Sequence, residues 1–382
     1  MRKNSKNNIA FLFGSGVSIP SKIPSTKCIT EKIFSGKGIV RGTAENYFFA
    51  DSSKFDYDPY QQFIPRIITF LNLLKKELQE FYKDSNETIN YEDIYYLLDF
   101  IRKNIYGTEK NPAFKYLLKY FEKTIKELSS PIDPPIDTKV TLERLLSETT
   151  RYIEYSVILS LSKQPENFKG LKFLGELISD NDFRKIDVFT LNHDLVIEKY
   201  FQSINKSYCD GFGEEIDGYR FWNQSNFNSK IKVSFYKLHG SVDWYYYDPE
   251  SWVDRRVCKC SANVIRRDPR KSILLIGTYN KLVKYIESIY LDLFYLFYRT
   301  IYLHDTLIIV GYSFGDKGIN DKLFNWVLQE NNKMIIIDPY VENLKHKMWR
   351  ILFRVWDSND KIIPIKEYSE NITWDRIKKY LN

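Results

Sequence analysis

What most limits how this chain can fold is a set of short, mostly apolar runs, each closing near a Gly, Asn, His or Asp. They are Ile9–Phe13 before Gly14, Ile186–Thr190 before Asn192, Val233–Leu238 before His239, Ile273–Ile276 before Gly277, Thr306–Val310 before Gly311, and Met334–Ile337 before Asp338. Runs of Val, Ile, Leu and Phe of this length read as strands buried on both faces, as in a parallel sheet covered by helices. Two are less clean, since Asp187 interrupts one and Ser234 and Lys237 interrupt another. Polar residues that follow such strands sit at their carboxyl ends, where open α/β sheets bind ligands. The expectation is an α/β chain with a Rossmann-like parallel sheet flanked by helices, its unusual residues gathered along one edge.

Between the first run and the second the rhythm changes. From about Gln61 to Ser179 apolar residues recur at helical spacing, through Phe63, Ile67, Phe70, Leu71 and Leu74, then Tyr95, Tyr96, Leu98 and Ile101, then Leu117, Tyr120 and Phe121. Asn90 followed by Asp93 reads as an N-cap with an acidic third position. Pro131, Pro134 and Pro135 break the stretch into two groups of helices. This divides the chain into a sheet domain over residues 1–50 and 180–382 and a helical insertion over 51–179 that packs on the sheet and roofs its cleft. Later helices are expected over Lys281–Leu303, Gly318–Glu330 and Glu342–Ile351.

Composition narrows the function classes. With 382 residues, 43% of them hydrophobic, a sizeable core is available and global disorder is excluded. The 29 Tyr and 26 Phe read as replacements for Leu in helix cores, the Tyr hydroxyls lying at wet boundaries. A net charge of +7 suits a polyanionic ligand without specifying nucleic acid. The four Cys, at 28, 209, 258 and 260, have no disulfide-framework spacing and fit a reducing cytoplasm. The amino-terminal apolar stretch is too short for a signal peptide. Lys284, Glu287, Asp292 and Arg299 make Lys281–Leu303 a helix of a soluble protein, so no membrane role is expected.

Four motifs carry chemistry. Gly14-Ser15-Gly16-Val17-Ser18 follows a strand and precedes an expected helix. Its glycines allow a tight turn and close approach of a pyrophosphate to free N–H groups, although an ordinary βα turn reads the same. Thr190-Leu191-Asn192-His193-Asp194 ends a strand, and either Asn192 or Asp194 alone would be explained as a helix cap. Leu238-His239-Gly240-Ser241 places an imidazole at a strand end, where Gly240 lets the chain turn sharply, and His is suited to general-base work at cellular pH. In Val310-Gly311-Tyr312-Ser313-Phe314-Gly315-Asp316, small residues suit a ribose or phosphate, and Asp316 reads as a cap.

The succession GSGVS, TLNHD, KLHGS, VGYSFGD, each after a strand, resembles that of the sirtuins, which carry a GAG-type loop, T-x-N-x-D, HG and G-[ST]-S in that order. The resemblance covers roughly residues 8–40 and 180–340. It implies NAD as substrate, with pyrophosphate contacts at Gly14, Ser15, Gly16 and Ser18. Asn192 would orient the ribose or the attacking water, Asp194 would help hold the nicotinamide end, Thr190 would contact NAD, and His239 would act as base at the ribose hydroxyls. Gly311 and Ser313 would meet the adenosine-side ribose and phosphate, with Asp338 near the adenosine.

Departures from protein-deacylating sirtuins refine this. Ile23-Pro24 is followed by Ser25-Thr26-Lys27 in place of a D-F-R sequence. Cys258 and Cys260 form a single C-x-C where two C-x-x-C pairs would hold zinc, so no metal is expected. Leu275-Ile276-Gly277-Thr278 stands where a peptide-pairing strand would read V-x-F-G-E. The pattern is similar to zinc-free sirtuin-like effectors of bacterial anti-phage defence. What that implies is NAD hydrolysis to nicotinamide and ADP-ribose in the cytoplasm by a homo-oligomer, assembled with a HerA-type DNA-translocating ATPase or an Argonaute-type protein, with nucleic acid involved only indirectly. A module that senses NAD or ADP-ribose without chemistry, and an NAD-dependent protein deacylase, stand as alternatives. The basic stretch from Asp254 to Lys271 reads as a partner contact or as a solvated loop.

Overall fold

The computed structural model describes residues 8–42, 46–49, 63–83, 88–106, 111–114, 116, 119, 142–228, 230–247, 256–260, 272–277, 285, 288–344 and 361–381. In chain order its first elements are β1 (Asn8–Phe13), α1 (Thr26–Ser35), β2 (Ile39–Arg41), β3 (Tyr47–Phe49), α2 (Phe63–Phe81), α3 (Tyr91–Ile105), α4 (Leu142–Leu161) and α5 (Lys172–Ser179). There follow β4 (Lys185–Thr190), α6 (Val196–Ser203), β5 (Tyr208–Cys209), β6 (Tyr219–Phe221), β7 (Val233–Lys237), β8 (Gly240–Tyr246), β9 (Val257–Cys260) and β10 (Ser272–Leu274). The last are α7 (Ser288–Ile301), β11 (Thr306–Val310), α8 (Lys317–Val327), β12 (Lys333–Ile337), α9 (Val341–Leu344), β13 (Ile362–Ile365) and α10 (Trp374–Lys378).

Seven strands form a parallel sheet in the order β13-β12-β11-β1-β4-β7-β5. The chain runs outward from β1 through β4 to β7, then returns to lay β11 on the other side of β1. That reversal makes the β1/β11 gap the topological switch point, where open α/β sheets bind ligands. Alternation along β1 shows why both faces are apolar. Ala10 and Leu12 join a core with Leu293 and Phe297 of α7 and Leu323 and Trp326 of α8. Phe11 and Phe13 point the other way, onto Phe173 of α5 at ring-centroid distances of 6.0 and 6.1 Å. A strand covered on both sides reads as a near-continuous apolar run, which is the pattern β1 displays from Ile9 to Phe13.

One expected strand belongs elsewhere. Ile273–Ile276 reads with the parallel set, yet β10 pairs antiparallel with β8 in a separate sheet ordered β10-β8-β9-β6. A short apolar run reads alike in a core strand and in an edge strand of a small sheet, so periodicity could not separate them. β13 went unread because Pro364 interrupts it, and β13 is an edge strand, where a missing N–H is tolerated.

Contacts divide the chain into two compact units, one of Met1–Ser25, Leu161–Leu275 and Lys281–Asn382, the other of Thr26–Ser160 with Ile276–Asn280. The helical unit begins earlier and ends earlier than the expected 51–179. α1 packs on α2 and α3, and Tyr152 of α4 donates to the Ile33 carbonyl at 2.9 Å. α5 instead lies under β1 and against α10. Asn90 and Asp93 form the expected capping box on α3. Arg41 reaches Glu148 through Nε and Nη2 at 3.1 and 3.0 Å, and Tyr47 donates to the same carboxylate at 2.6 Å, all of them buried. The proline-separated segment near 131–135 lies outside the described residues, as does most of 254–271. The described parts of the later expected helices are α7, α8 and α9.

Candidate active site

Strand register gathers the motifs. Phe13 pairs with Thr190 on one side and Val310 on the other, Thr190 pairs with Lys237, and Val310 pairs with Ile337. The residues that follow each, namely Gly14, Asn192, His239, Gly311 and Asp338, therefore leave the sheet at one edge and within one unit.

At the switch point the backbones of β1 and β11 almost touch. Gly14 donates to the Val310 carbonyl and Gly16 to the Gly311 carbonyl, each at 3.0 Å. A Cβ on Gly16 would lie 2.6 Å from Gly311 Cα, and Gly311 itself has φ +60°, so neither position admits a side chain without rearrangement. The segment after Gly14 is two short 3₁₀ turns, Ser15–Val17 and Ile19–Ser21, and the first α-helix starts only at Thr26. That differs from the expected helix and changes where an anion would be held. The amides of Gly14, Gly16, Val17 and Ser18 are all engaged internally, whereas those of Ser15, Ser313 and Gly315 donate to no acceptor among the described residues. Ser15, Ser313 and Gly315 are exposed, so the free donors belong to both sides of the crevice.

Asn192 ties the glycine turn to β4. Its Nδ2 donates to the Gly14 carbonyl at 3.0 Å and to Ser18 Oγ at 3.1 Å. A carbonyl only accepts, so this contact fixes the orientation of the amide. The side-chain carbonyl of Asn192 is left without a hydrogen bond among the described residues. Thr190 Oγ1 accepts from the Asn192 amide at 3.1 Å and thereby shapes the turn. Ser18, expected at a phosphate, is 2% exposed, and its hydroxyl lies near enough to the Asp194 carboxyl to favour its charged form.

Asp194 lies two residues before α6, and its Oδ1 accepts from Val196 N at 3.0 Å. Burial pushes its carboxyl above the usual range, against the pull of the Lys237 ammonium. Lys237, at the end of β7, donates to the Asp194 carbonyl and to Glu198 Oε1, the latter at 2.8 Å. Burial also raises the Glu198 carboxyl. These buried groups hold the Asn192 turn and the His239 strand end together.

His239 follows β7, and Gly240 turns the chain behind it with φ +81°, at a point where a Cβ would meet the Ile273 carbonyl at 2.1 Å. Its Nε2 lies 2.8 Å from Tyr285 Oη and 3.0 Å from Asp316 Oδ2, and Tyr285 donates to the same carboxylate oxygen at 2.7 Å. All three are buried. The consistent proton assignment has Nε2–H donating to Asp316, which leaves Nδ1 as the basic nitrogen and puts a carboxylate behind the ring to stabilise its charged form. Asp316 also caps α8, its Oδ1 accepting from Ile319 N at 3.0 Å. Sequence reasoning found the cap but missed the partnership with His239 and missed Tyr285 altogether.

Ser313 stands exposed on the loop after Gly311. Asp338 N donates to the Ile365 carbonyl at 3.2 Å, and its Oδ1 accepts from Tyr340 N at 2.8 Å, a turn one strand outward from the crevice. Cys258 and Cys260 lie on β9 with their sulfurs 3.8 Å apart, and burial pushes the Cys258 thiol up to about 12. Among the described residues no three His, Cys, Asp or Glu form a group that could hold a metal, and no helix is long and apolar enough to cross a membrane.

No curated protein sequence matches the chain significantly. Similar solved structures include a Sir2 complex with the inhibitor EX-527, 2′-O-acetyl-ADP-ribose and a deacetylated p53 peptide, at 11% identity and TM-score 0.38, covering 97% of this chain and 92% of that one. A complex of Sir2, p53 peptide and NAD+ is similar at 11% identity and TM-score 0.38, covering 98% of this chain and 93% of that one. Similarity at this level leaves the site to be argued from its own residues. Residues 187–353 match the profile of a family described as a SIR2-like domain, somewhat under half of the chain. The matched span contains Asn192, His239 and Asp316, so the sheet unit is sirtuin-like in the part that carries the candidate site.

Proposed function

We propose that the chain binds NAD across the β1/β11 crevice and hydrolyses its nicotinamide–ribose bond, giving nicotinamide and ADP-ribose. The observation that carries this reading is the buried His239–Asp316–Tyr285 cluster on the edge that also presents Asn192. A site that only held a dinucleotide would gain nothing from an imidazole backed by a carboxylate, whereas proton transfer uses that arrangement.

The chemistry asks for a ribose held in place, a water on the anomeric carbon and an acceptor for one proton. As the C1′–N bond breaks, its electron pair leaves with nicotinamide, which departs as a neutral ring. Water oxygen forms the new bond to C1′, and the proton it sheds goes to His239 Nδ1, directly or through a ribose hydroxyl. Asp316 stabilises the imidazolium, and Tyr285 keeps the Asp316 carboxylate aimed at Nε2. The open carbonyl of Asn192 accepts from the water or from a ribose hydroxyl, while its NH2 keeps the glycine turn in place. The free amides of Ser15, Ser313 and Gly315 meet the pyrophosphate. In the cell this activity would deplete NAD as a cytoplasmic effector of anti-phage defence. Control would come through a homo-oligomer assembled with a HerA-type ATPase or an Argonaute-type partner.

The test is nicotinamide release from NAD by the purified chain, alone and with its partner, beside His239→Ala and Asn192→Ala. Full turnover by both variants refutes the site. Tight binding of intact NAD under every condition replaces hydrolysis with sensing, and acyl-lysine turnover replaces it with deacylation.

A further inference from the structure

The opposite end of the sheet also buries polar chemistry. Asp187 sits in β4 at 4% exposure; its Oδ1 accepts from Tyr236 Oη at 3.2 Å, and its Oδ2 faces His304 Nε2 at 2.9 Å. That carboxylate oxygen accepts from His304 Nε2–H. Nδ1 is fully buried and has no hydrogen-bond partner among the described residues. An orphaned polar atom in an apolar setting costs about 1–3 kcal/mol and calls for an explanation.

Asp187, Tyr236 and His304 line a cavity of about 520 Å³ formed at the start of β1 and β4 and the end of α7, inside the sheet unit. That size falls in the range of small-molecule sites. Phe227, Leu296 and Leu303 give it apolar walls, and Lys185 and Arg299 supply positive charge. Among the described lining residues Asp187 is the only acid, and both its oxygens are already engaged. The Lys185 ammonium uses one donor on the Ile231 carbonyl at 3.1 Å, which leaves two.

We propose that this cavity binds a small organic anion that carries a flat ring. The ring lies against Phe227 and Leu296, and the phosphate or carboxylate meets Arg299 and Lys185. The site is separate from the crevice at the carboxyl edge and stands whether or not NAD is the substrate there.

Calorimetric titration of the full chain tests it with phenyl phosphate and AMP as ring-bearing anions, and with inorganic phosphate and benzyl alcohol as their separate parts. Phenyl phosphate is expected to bind once per chain, AMP here and, as a fragment of NAD, in the crevice as well, and each part alone about tenfold more weakly or worse. Arg299 is exposed on α7, so Arg299→Glu leaves the fold intact and weakens binding by about tenfold or more, while His239→Ala leaves it unchanged. Tighter AMP assigns the ring to a nucleobase, and tighter phenyl phosphate assigns it to an aromatic acid. The proposal fails if neither probe binds at about 1 mM. It fails equally if Arg299→Glu binds as well as the parent, or if His239→Ala abolishes binding.

Discussion

Replacing Asn192 separates what its two ends do. In Asn192→Ala the hydrogen bonds to Gly14 O and Ser18 Oγ disappear. Neither partner is left bare, because Gly14 O still accepts from Val17 N at 3.3 Å and Ser18 Oγ stays beside the Asp194 carboxyl, on which it acts. The cost is therefore the net value of two hydrogen bonds, about 0.5–1.5 kcal/mol each, and not the larger penalty for orphaned groups. A total of about 1–3 kcal/mol is expected, a few degrees of Tm. Asn192→Asp is nearly isosteric and should be worse than Ala at neutral pH, since it sets a carboxylate oxygen against the Gly14 carbonyl beside Asp194. Burial and those oxygens raise the new carboxyl in the folded state. Its neutral form is the compatible one, so the deficit grows as pH rises through the carboxylate range and shrinks in acid. Thermal unfolding of the three proteins from acid to neutral pH reads all of this, with nicotinamide release measured alongside. If Asp is tolerated better than Ala at neutral pH, Nδ2 is not the donor and the latch is wrong. If Ala is as stable as the parent yet inactive, the residue serves chemistry alone.

Four other perturbations test separate parts of the structure. Asp316→Asn keeps an N-cap acceptor for Ile319 but weakens the partner of His239, so Tm should hold while NAD turnover falls about 100-fold or more; parallel losses of both would make Asp316 structural only. Gly311→Ala forces a Cβ against Gly16 at φ +60° and should cost about 1–3 kcal/mol, whereas Gly315→Ala, whose nearest neighbour is Ser313 Oγ at 3.6 Å, should stay within about 0.5 kcal/mol; equal melting temperatures would refute the close approach. Glu148→Ala strands the buried Arg41 guanidinium and should cost the helical unit about 3–5 kcal/mol, seen as faster amide exchange in α4. Bonds from Lys378 and Trp374 hold the Asp180 carboxyl down at about 2. Its folded value is depressed, so the α10 clasp stabilises above the unfolded value near 3.9 and weakens as pH falls toward 2; Lys378→Ala should reduce that acid sensitivity, and an unchanged profile would rule the clasp out.

How much of this was legible follows from how local each signal is. β1, β11 and β12 announce themselves as near-continuous apolar runs covered on both faces, β4 and β7 remain readable despite buried Asp187, Ser234 and Lys237, and β11 appears at Thr306–Val310 as the sequence reads it. Each motif is marked by the turn chemistry at a strand end, so the site edge was also visible. Long-range pairing was not. Asp316 reads as a cap, which it is, and nothing near it reveals that its second oxygen meets His239, 77 residues earlier in the chain. Tyr285 lies among many tyrosines of similar context. The mixed sequences of β6, β8 and β9 carry no clean period, because one small antiparallel sheet takes polar, aromatic and sulfur-bearing residues on the same strands.

In the proposed reaction several site residues would hold structure and chemistry at once, and this decides which experiments discriminate. Asn192 latches with nitrogen and offers oxygen, and Asp316 caps with one oxygen and faces His239 with the other. Deleting either side chain removes both roles together, so a dead variant alone says little about mechanism. His239 is different: its Nε2 contacts are to Asp316 and Tyr285, which keep each other's company at 2.7 Å when the imidazole is gone. His239→Ala combined with Asp316→Asn should therefore lose scarcely more activity than His239→Ala by itself, since a carboxylate that works through the ring has nothing left to work on. Additive losses in that double-mutant cycle would mean that Asp316 acts on the reaction independently, and the proton-transfer assignment would have to be given up.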